Sequence, residues 1–300
     1  MLMRHIRYFI AVAEELNFTR AAERLHIEQS PLSRSIRQLE DDLGVRLFER
    51  NSHGTRLTWA GQVFLEEARR VLAAVEQARA GARAAATGYR GLLRIALSDG
   101  ISPSHLSNLL ARCREESPEV EISLFEVTLA QQLKGLREGD YDAGFAKAEH
   151  PGEGLLATPA WSEPLVVAVP ARHPALIHPE LSLMELLSHP LVLCDPNACA
   201  GCSRQLDRLL RAAECEVRIA ERVASHDLLM ALVAAGYGLG ITTRTHLSLW
   251  RHPDVVSRPL AGEVPPLTTY LLRRDAEDSV QLRSFVERLR ETTMPDSEKA

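Results

Sequence analysis

Lysine is nearly missing. Only Lys134, Lys147 and Lys299 occur in 300 residues, so cationic charge rests almost wholly on arginine. Arginine is the side chain suited to bidentate contacts with phosphate and guanine. Cysteine is sparse as well: five, an odd number, exclude a disulfide scaffold and point to a reducing compartment. The most apolar stretch, Leu228 to Thr243, falls short of the roughly 18–20 residues a membrane span needs, and three glycines interrupt it. Met1-Leu2-Met3-Arg4-His5 leads straight into amphipathic sequence without an apolar leader core. A cytoplasmic location with no membrane contact is therefore expected. Catalytic signatures are lacking too: there is no His-Glu-x-x-His, no Gly-x-Ser-x-Gly and no Walker pattern. Gly236-Tyr-Gly238-Leu-Gly240 follows a helical pattern and precedes a strand, the reverse of a dinucleotide loop, and reads as a turn. Neither enzymatic chemistry nor a cofactor or metal is expected.

Positive charge is in deficit overall. A net charge of −5 taken alone argues against a nucleic-acid partner. The average hides a skew, because residues 1–90 hold fourteen Arg against eleven acids, or +3, and the remainder carries −8. A mildly basic front and an acidic rear imply two tasks.

The front opens with an amphipathic stripe at Ile6, Phe9, Ile10, Ala13 and Leu16, a helix of period 3.6. Asn17 and Phe18 break it, and Thr19 is placed as the N-cap of a short second helix with Ala21, Ala22 and Leu25 inward. After a turn at His26-Ile27-Glu28 a third helix begins at Gln29-Ser30-Pro31, proline being tolerated in a first turn. Leu32, Ile36, Leu39 and Leu43 face inward and Gly44 ends the helix; Ser30, Ser33, Arg34, Arg37 and Gln38 remain outside. This is a helix-turn-helix arrangement, in which short polar and Arg side chains can meet base edges. A generic three-helix subdomain with a polar face fits the same pattern. Two short runs around Asn51-Ser52-His53-Gly54 read as a hairpin, or wing, carrying Arg50, His53 and Arg56.

Residues 59–87 lack proline and repeat Phe64, Ala68, Val71, Val75, Ala78, Ala82 and Ala85 at 4-3 spacing. Such a narrow seam suits a dimerising helix better than one more core helix. A hinge follows at 88–91, and then strand and helix patterns alternate. The alternation predicts two α/β lobes, 92–161 with 268–293 and 162–267, with a ligand cleft between them and a disordered tail at 294–300.

Several motifs now converge. Arg4-His-Ile-Arg-Tyr-Phe, Asn17-Phe-Thr-Arg-Ala-Ala-Glu-Arg-Leu, Gln29-Ser-Pro-Leu-Ser-Arg-Ser-Ile-Arg-Gln-Leu-Glu, Leu43-Gly-Val-Arg-Leu-Phe-Glu-Arg and Leu57-Thr-x-Ala-Gly resemble the LysR-type transcriptional regulators. The rear agrees more loosely, through Gly135-Leu-Arg-Glu-Gly-Asp-Tyr-Asp-Ala-Gly, Glu163-Pro-Leu-Val-Val-Ala-Val-Pro and Leu232-Val-Ala-Ala-Gly-Tyr-Gly-Leu-Gly-Ile. The subgroup that regulates aromatic-compound catabolism is the most similar. The resemblance implies an α/β protein with a winged helix-turn-helix over 1–58, a linker helix over 59–87 and a two-lobed effector domain like periplasmic binding proteins. It further implies a homodimer or homotetramer on a dyad-symmetric double-stranded DNA site, a small-molecule effector and contact with RNA polymerase. By matched position, Thr19, Gln29, Ser30, Pro31, Ser33, Arg34 and Arg37 would contact DNA, with Arg50, His53 and Arg56 on the wing. Ser98, Gly100, Thr128, Phe145, Lys147, Gly201, Cys202 and Ser203 would line the effector cleft. A hydroxyl with free N–H groups at a helix N-terminus makes an anion site without a fixed cation, so an anionic effector is expected; Ser98 and Thr128 as plain helix caps remain open.

Cys194, Cys199 and Cys202 depart from the family's usual cleft. Peroxide-sensing members of the family place a reactive cysteine in the corresponding loop, but their second cysteine, at longer spacing, has no counterpart here. Three readings stay open: small cavity-lining residues, a redox pair of Cys199 and Cys202 activated by a helix N-terminus, or three thiolates on a soft ion. Cys113 and Cys215 sit in apolar settings and are expected to be inert.

Overall fold

The structure, a computed structural model, describes residues 3–51, 54–86, 89–211, 213, 216–250 and 252–293. It divides into two compact units, Met1–Arg83 with Glu138–Asp140, and Ala84–Arg137 with Tyr141–Ala300. Among the described residues no helix is long and apolar enough to cross a membrane.

In the first unit α1 (Met3–Glu15), α2 (Phe18–Arg24) and α3 (Gln29–Leu43) precede a hairpin of β1 (Phe48–Asn51) and β2 (Gly54–Leu57), then α4 (Trp59–Ala86). Phe9 and Phe48 meet at a ring separation of 5.3 Å, and Phe64 of α4 closes on Phe9 at 4.9 Å. Ile6, Val12, Leu32, Ile36, Leu39 and Leu47 complete the core, so the inward stripes read from the sequence hold. Leu16 and Leu43 are exceptions: Leu16 ends α1 at φ 48° and is exposed, and Leu43, in the last turn before Gly44, is exposed as well. The cap of α2 also differs. Asn17, not Thr19, is the N-cap, and its side-chain oxygen accepts from Thr19 N–H at 2.9 Å and Arg20 N–H at 3.1 Å. Asparagine in extended backbone outcompetes a threonine two residues inside the helix.

The buried carboxylate of Glu40, 3% exposed, ties the hairpin to α3. It accepts from the N–H groups of Leu47 and Phe48 at 2.8 and 3.1 Å and pairs with Arg46 at 3.0 Å. Thr58 then caps α4 through Gly61 N–H. A Cβ on Gly61 would run into the Leu47 carbonyl, which explains the glycine in the Leu57-Thr-x-Ala-Gly motif.

The second unit contains two five-stranded sheets. The first orders β4 (Val120–Glu126), β3 (Gly91–Leu97), β5 (Ala143–Ala146), β12 (Leu267–Arg274) and β6 (Leu155–Glu163). Here β3 is parallel to β4 and β5, while β12 is antiparallel to β5 and β6. The other sheet orders β11 (Val255–Pro259), β7 (Leu165–Pro170), β10 (Leu239–Thr243), β8 (Leu191–Cys194) and β9 (Ile219–Val223). Central strands β5, β7 and β10 are buried throughout; β7 is a continuous apolar run, and β10 ends in the buried Thr242 and Thr243. The chain changes sheet at Pro164 and returns between β11 and β12.

Helices α5 (Pro103–Glu116), α6 (Leu129–Glu138) and α11 (Val280–Thr293) accompany the first sheet. A 3-10 turn at 174–177, then α7 (Leu183–Leu187), α8 (Ala200–Arg211), α9 (His226–Ala234) and α10 (Arg244–Leu249) accompany the second. Four elements leave no clear pattern in the sequence: the 3-10 turn at 174–177, β6, β11 and α10. Pro159 masks β6 in the sequence, yet β6 is an edge strand and its register against β12 slips beside Pro159, where proline is tolerated. Likewise β11 is a short edge strand ending in proline. An Asx turn made by Asp195 Oδ1 with Asn197 and Ala198 N–H leads into α8 at Ala200. Thr87 at the end of the expected linker helix, Gly88 of the hinge, Cys215 and the tail 294–300 lie outside the described residues.

Candidate nucleic-acid interface and ligand cavity

On the first unit, Gln29, Ser30, Pro31, Arg34, Arg37 and Gln38 form an exposed face of α3, with Ser33 half-buried at its edge. Leu32, Ile36 and Leu39 anchor the opposite face in the core, so the polar face is held in one orientation. No side chain of Glu28 caps the helix, which leaves first-turn N–H groups at its exposed N-terminus. Thr19 is exposed nearby in sequence on α2, and Arg56 is exposed on β2. Arg50 pairs with Thr55 in the hairpin register; its side chain, and all of His53, lie outside the described residues.

Of the α4 seam, Phe64 and Ala68 pack into the helix-turn-helix core. Val71 is 40% exposed, and Ala78, Ala82 and Ala85 are exposed as well. The apolar stripe available to a second copy is therefore shorter than the sequence spacing indicates, running from Val71 to Ala85.

In the second unit a cavity of about 510 Å³ opens between the two sheets. Its wall is drawn from the ends of many elements: Ser98 to Ile101 after β3, Lys147 after β5, Cys194 at the end of β8, Cys199 and Cys202 at the start of α8, His226 at the start of α9, and Thr242 and Thr243 of β10 with His246. Lys147 and Asp99 are its buried charges. Lys147 is only 2% exposed, and its ammonium donates to the carbonyls of Asp99 and Gly100, both at 2.7 Å. Asp99, at φ 62°, turns its carboxylate to the N–H of Gly201 at 2.9 Å and of Lys147 at 3.2 Å. That carboxylate thus occupies the N-terminus of α8 and joins the two lobes. Gln205 of α8 adds to the junction by donating to the carbonyls of Lys147 and Thr268 and accepting from Thr268 N–H.

Opposite lies a histidine pair. His226 Nε2 and Thr242 Oγ1 are 2.7 Å apart, His246 Nδ1 and Thr243 Oγ1 are 2.9 Å apart, and the two rings are 4.7 Å apart. Burial, reinforced by His226 and Lys147, pushes His246 down to about 3, and burial also lowers His226. Both rings are neutral at physiological pH, and together with the threonine hydroxyls they offer hydrogen bonds without charge.

The cleft residues expected from the sequence separate into two groups. Ser98, Gly100, Lys147 and Cys202 line the cavity. Phe145 does not: its ring is fully buried against Trp161 and Phe285, and only its backbone borders the site, accepting from Ser98 N–H. Thr128 is exposed and outside the wall, and its N–H donates to Gln131 Oε1 at 3.0 Å, so the expected anion site at that helix start is filled by the chain's own side chain. Gly201 and Ser203 lie behind the wall. Gly201 is where α8 meets Asp99, a Cβ there colliding with that carboxylate, and Ser203 donates to the Cys194 carbonyl. Ser98 spends its hydroxyl hydrogen on Gln132 at 2.6 Å. The sequence reading missed Asp99, His226, Thr242, Thr243 and His246. Of these only the non-glycine left turn of Asp99-Gly100 leaves a local trace, since the others are gathered by topology.

Cys194, Cys199 and Cys202 share the cavity wall, and their mutual interaction raises the Cys194 thiol and lowers those of Cys199 and Cys202. Among the described residues no three His, Cys, Asp or Glu side chains are arranged to hold a metal ion, so the soft-ion reading finds no formed site. Cys113 is buried in the first lobe's core, and burial raises its thiol.

Two family models match successive parts of the chain. Residues 3–62 match the bacterial regulatory helix-turn-helix protein of the lysR family, and residues 86–294 match the LysR substrate binding domain. The chain belongs to the LysR family. LysR relatives are similar end to end. The transcriptional regulator ClcR of Pseudomonas putida is 32% identical over 95% of this chain and 97% of its own length. The Hca operon transcriptional activator HcaR of Escherichia coli is 33% identical over 95% of this chain and 96% of its own length. Among solved structures, full-length CbnR complexed with its target DNA shares 31% identity at a TM-score of 0.69, covering 98% of this chain and all of that one. The fold is accordingly that of a full-length LysR regulator, a helix-turn-helix unit followed by a two-lobed, periplasmic-binding-protein-like domain.

Proposed function

We propose that this LysR regulator binds a dyad-symmetric duplex as a homodimer or homotetramer, controls transcription there through contact with RNA polymerase, and is gated by a small anionic effector held in the interlobe cavity. The observation that carries the DNA half is the exposed face of α3, polar at Gln29, Ser30, Arg34, Arg37 and Gln38 and fixed by an apolar opposite face. Residues 1–58 hold nine Arg against eight acids, so bulk attraction supplies little. Placed contacts, repeated by each subunit, must supply the rest. Thr19, Pro31, Ser33, Arg50, His53 and Arg56 are assigned supporting phosphate and wing contacts.

An anionic ligand is supported by Lys147, which is buried and whose polar partners are the two backbone carbonyls. Asp99 is buried in the same wall, but its carboxylate is taken up by the N–H groups of Gly201 and Lys147, and Glu126 and Asp227, which also reach the wall, are exposed, where water screens them. The ligand is bound and released rather than transformed, a reading supported by the transcriptional regulators that match the chain nearly end to end. The double substitution S30A/R34A tests the DNA half. It should abolish specific duplex binding in a mobility-shift titration while the thermal unfolding midpoint stays put. Retained affinity would overturn the reading.

A further inference from the structure

The histidine side of the cavity is polar without being charged. His226 and His246 are half-buried there, and Thr242 and Thr243 beside them are 5% and 1% exposed. Outside the wall, at the end of β6, lies Glu163, only 2% exposed. Among the described residues one donor comes within hydrogen-bond distance of its carboxylate, the Thr243 hydroxyl at 3.5 Å from Oε1. Its Oε2 has no partner, and His105 Nε2 stands 4.0 Å from Oε1. We propose that the chain Glu163–Thr243–His246 fixes His246 as a hydrogen-bond acceptor, so that the cavity selects a small carboxylate carrying an uncharged hydroxyl group.

The direction of the chain follows from what each atom can do. A carboxylate accepts and cannot donate. Leaving it buried without a donor is costly, so the single hydroxyl hydrogen of Thr243 goes to Glu163. Thr243 Oγ1 then has to accept from its other neighbours, the His246 backbone N–H at 3.3 Å and His246 Nδ1 at 2.9 Å. The ring proton therefore sits on Nδ1. His246 is neutral at physiological pH and has no second ring proton, so Nε2 keeps a lone pair. That nitrogen has no hydrogen-bond partner among the described residues, and its ring lines the cavity. It calls for a donor from the ligand.

Lys147 calls for the reverse. Two of its three N–H donors are spent on the Asp99 and Gly100 carbonyls, which leaves one for an acceptor. A carboxylate answers Lys147, and a hydroxyl answers His246. An ammonium does not, because the Lys147 charge in the same wall opposes a second cation. His226 can serve the same hydroxyl from its acceptor side. Its Nε2 is 2.7 Å from Thr242 Oγ1, whose hydrogen has no other acceptor among the described residues, and donation from Thr242 leaves an N–H on His226 Nδ1. Between the polar ends the ligand meets Leu97, Ile101, Leu106, Leu229 and Ile241, so its body is apolar. This inference rests on the anionic-ligand reading and adds the second group that the ligand must carry.

Two measurements on the full-length protein test it. Long-range proton–nitrogen correlation spectra of nitrogen-15-labelled protein at pH 7 report which ring nitrogen of each histidine is protonated. The His246 signal, identified by its loss in H246N, should be the Nδ1–H tautomer; an Nε2–H tautomer would overturn the proposal. Calorimetric titration then compares benzoate with its three monohydroxy isomers and their methyl ethers, and cyclohexanecarboxylate with its 4-hydroxy derivative. At least one hydroxy acid should bind about tenfold more tightly than its parent. A methyl ether, which accepts but cannot donate, should lose that gain. T243V should erase the difference, and T243S, which keeps the hydroxyl, should retain it. Because the spectra use the unaltered chain, they remain decisive even if T243V fails to fold. Equal affinities for hydroxylated and plain acids, or an ether that binds as tightly as its hydroxy acid, would overturn this inference while leaving the anionic reading intact. Binding by none of the acids would overturn the anionic reading and this inference with it.

Discussion

Glu40 has an ordinary position in an acidic helix end, and only the fold makes it structural. Removing its carboxylate leaves the buried N–H groups of Leu47 and Phe48 without an acceptor. E40A should therefore cost about 2–4 kcal/mol in urea unfolding, and E40Q, which keeps one acceptor oxygen, should cost less. Equal losses would contradict the assignment. Gly201 is the corresponding residue in the second unit, where any Cβ meets Asp99 and the Lys147 backbone. G201A should lower stability by about 1–3 kcal/mol and weaken any thermal shift caused by small carboxylates. At this scale the sequence was readable where a side chain answers to its own helix: Leu32, Ile36 and Leu39 inward, Ser30 and Arg34 outward. It was unreadable where the partner is remote. Asp99 meets Gly201, and His226 meets His246, across sequence separations that no periodicity encodes.

Elements were legible when one physical signal dominated them. The 3.6-residue stripes of α1 and α3 and the fully apolar run of β7 stood out. Edge strands did not, because β6 tolerates Pro159 beside a register slip and so lacks the alternation that marks a strand. The α4 seam was legible as a repeat but not as a division of labour, since its first positions close the helix-turn-helix core. Only the exposed part remains for self-association. V71E with A78E places charge on that stripe without entering the core. The pair should shift sedimentation toward a monomer and weaken duplex binding by at least tenfold (about 1.4 kcal/mol), with secondary structure unchanged by circular dichroism. A dimer that persists would move the interface elsewhere.

For the whole molecule, charge and titration separate the two tasks. The unfolded chain's histidines protonate below their ordinary value of 6.5, while half-buried His246 resists until about 3 and His226 is also held low. The unfolded state thus binds more protons in that window, and stability must fall as pH falls below 6.5. Glu14 and Glu185 are held below the ordinary carboxylate value of 4.5, so their loss of stabilisation begins lower. The thermal midpoint should decline from pH 7 to pH 5, and H246N should flatten that decline. Overall charge misleads in the opposite sense. The balance of −5 belongs to the ligand-binding unit, and the DNA-facing residues are too few to register in it. Specificity must then reside in individual contacts of α3. Selection from a random duplex library by the full-length protein measures this directly. The enriched sequence should have two inverted half-sites, and R34A should relax preference at one base position per half-site by about 1–3 kcal/mol. No enrichment over input, or an enriched site that R34A leaves unchanged, would contradict the account.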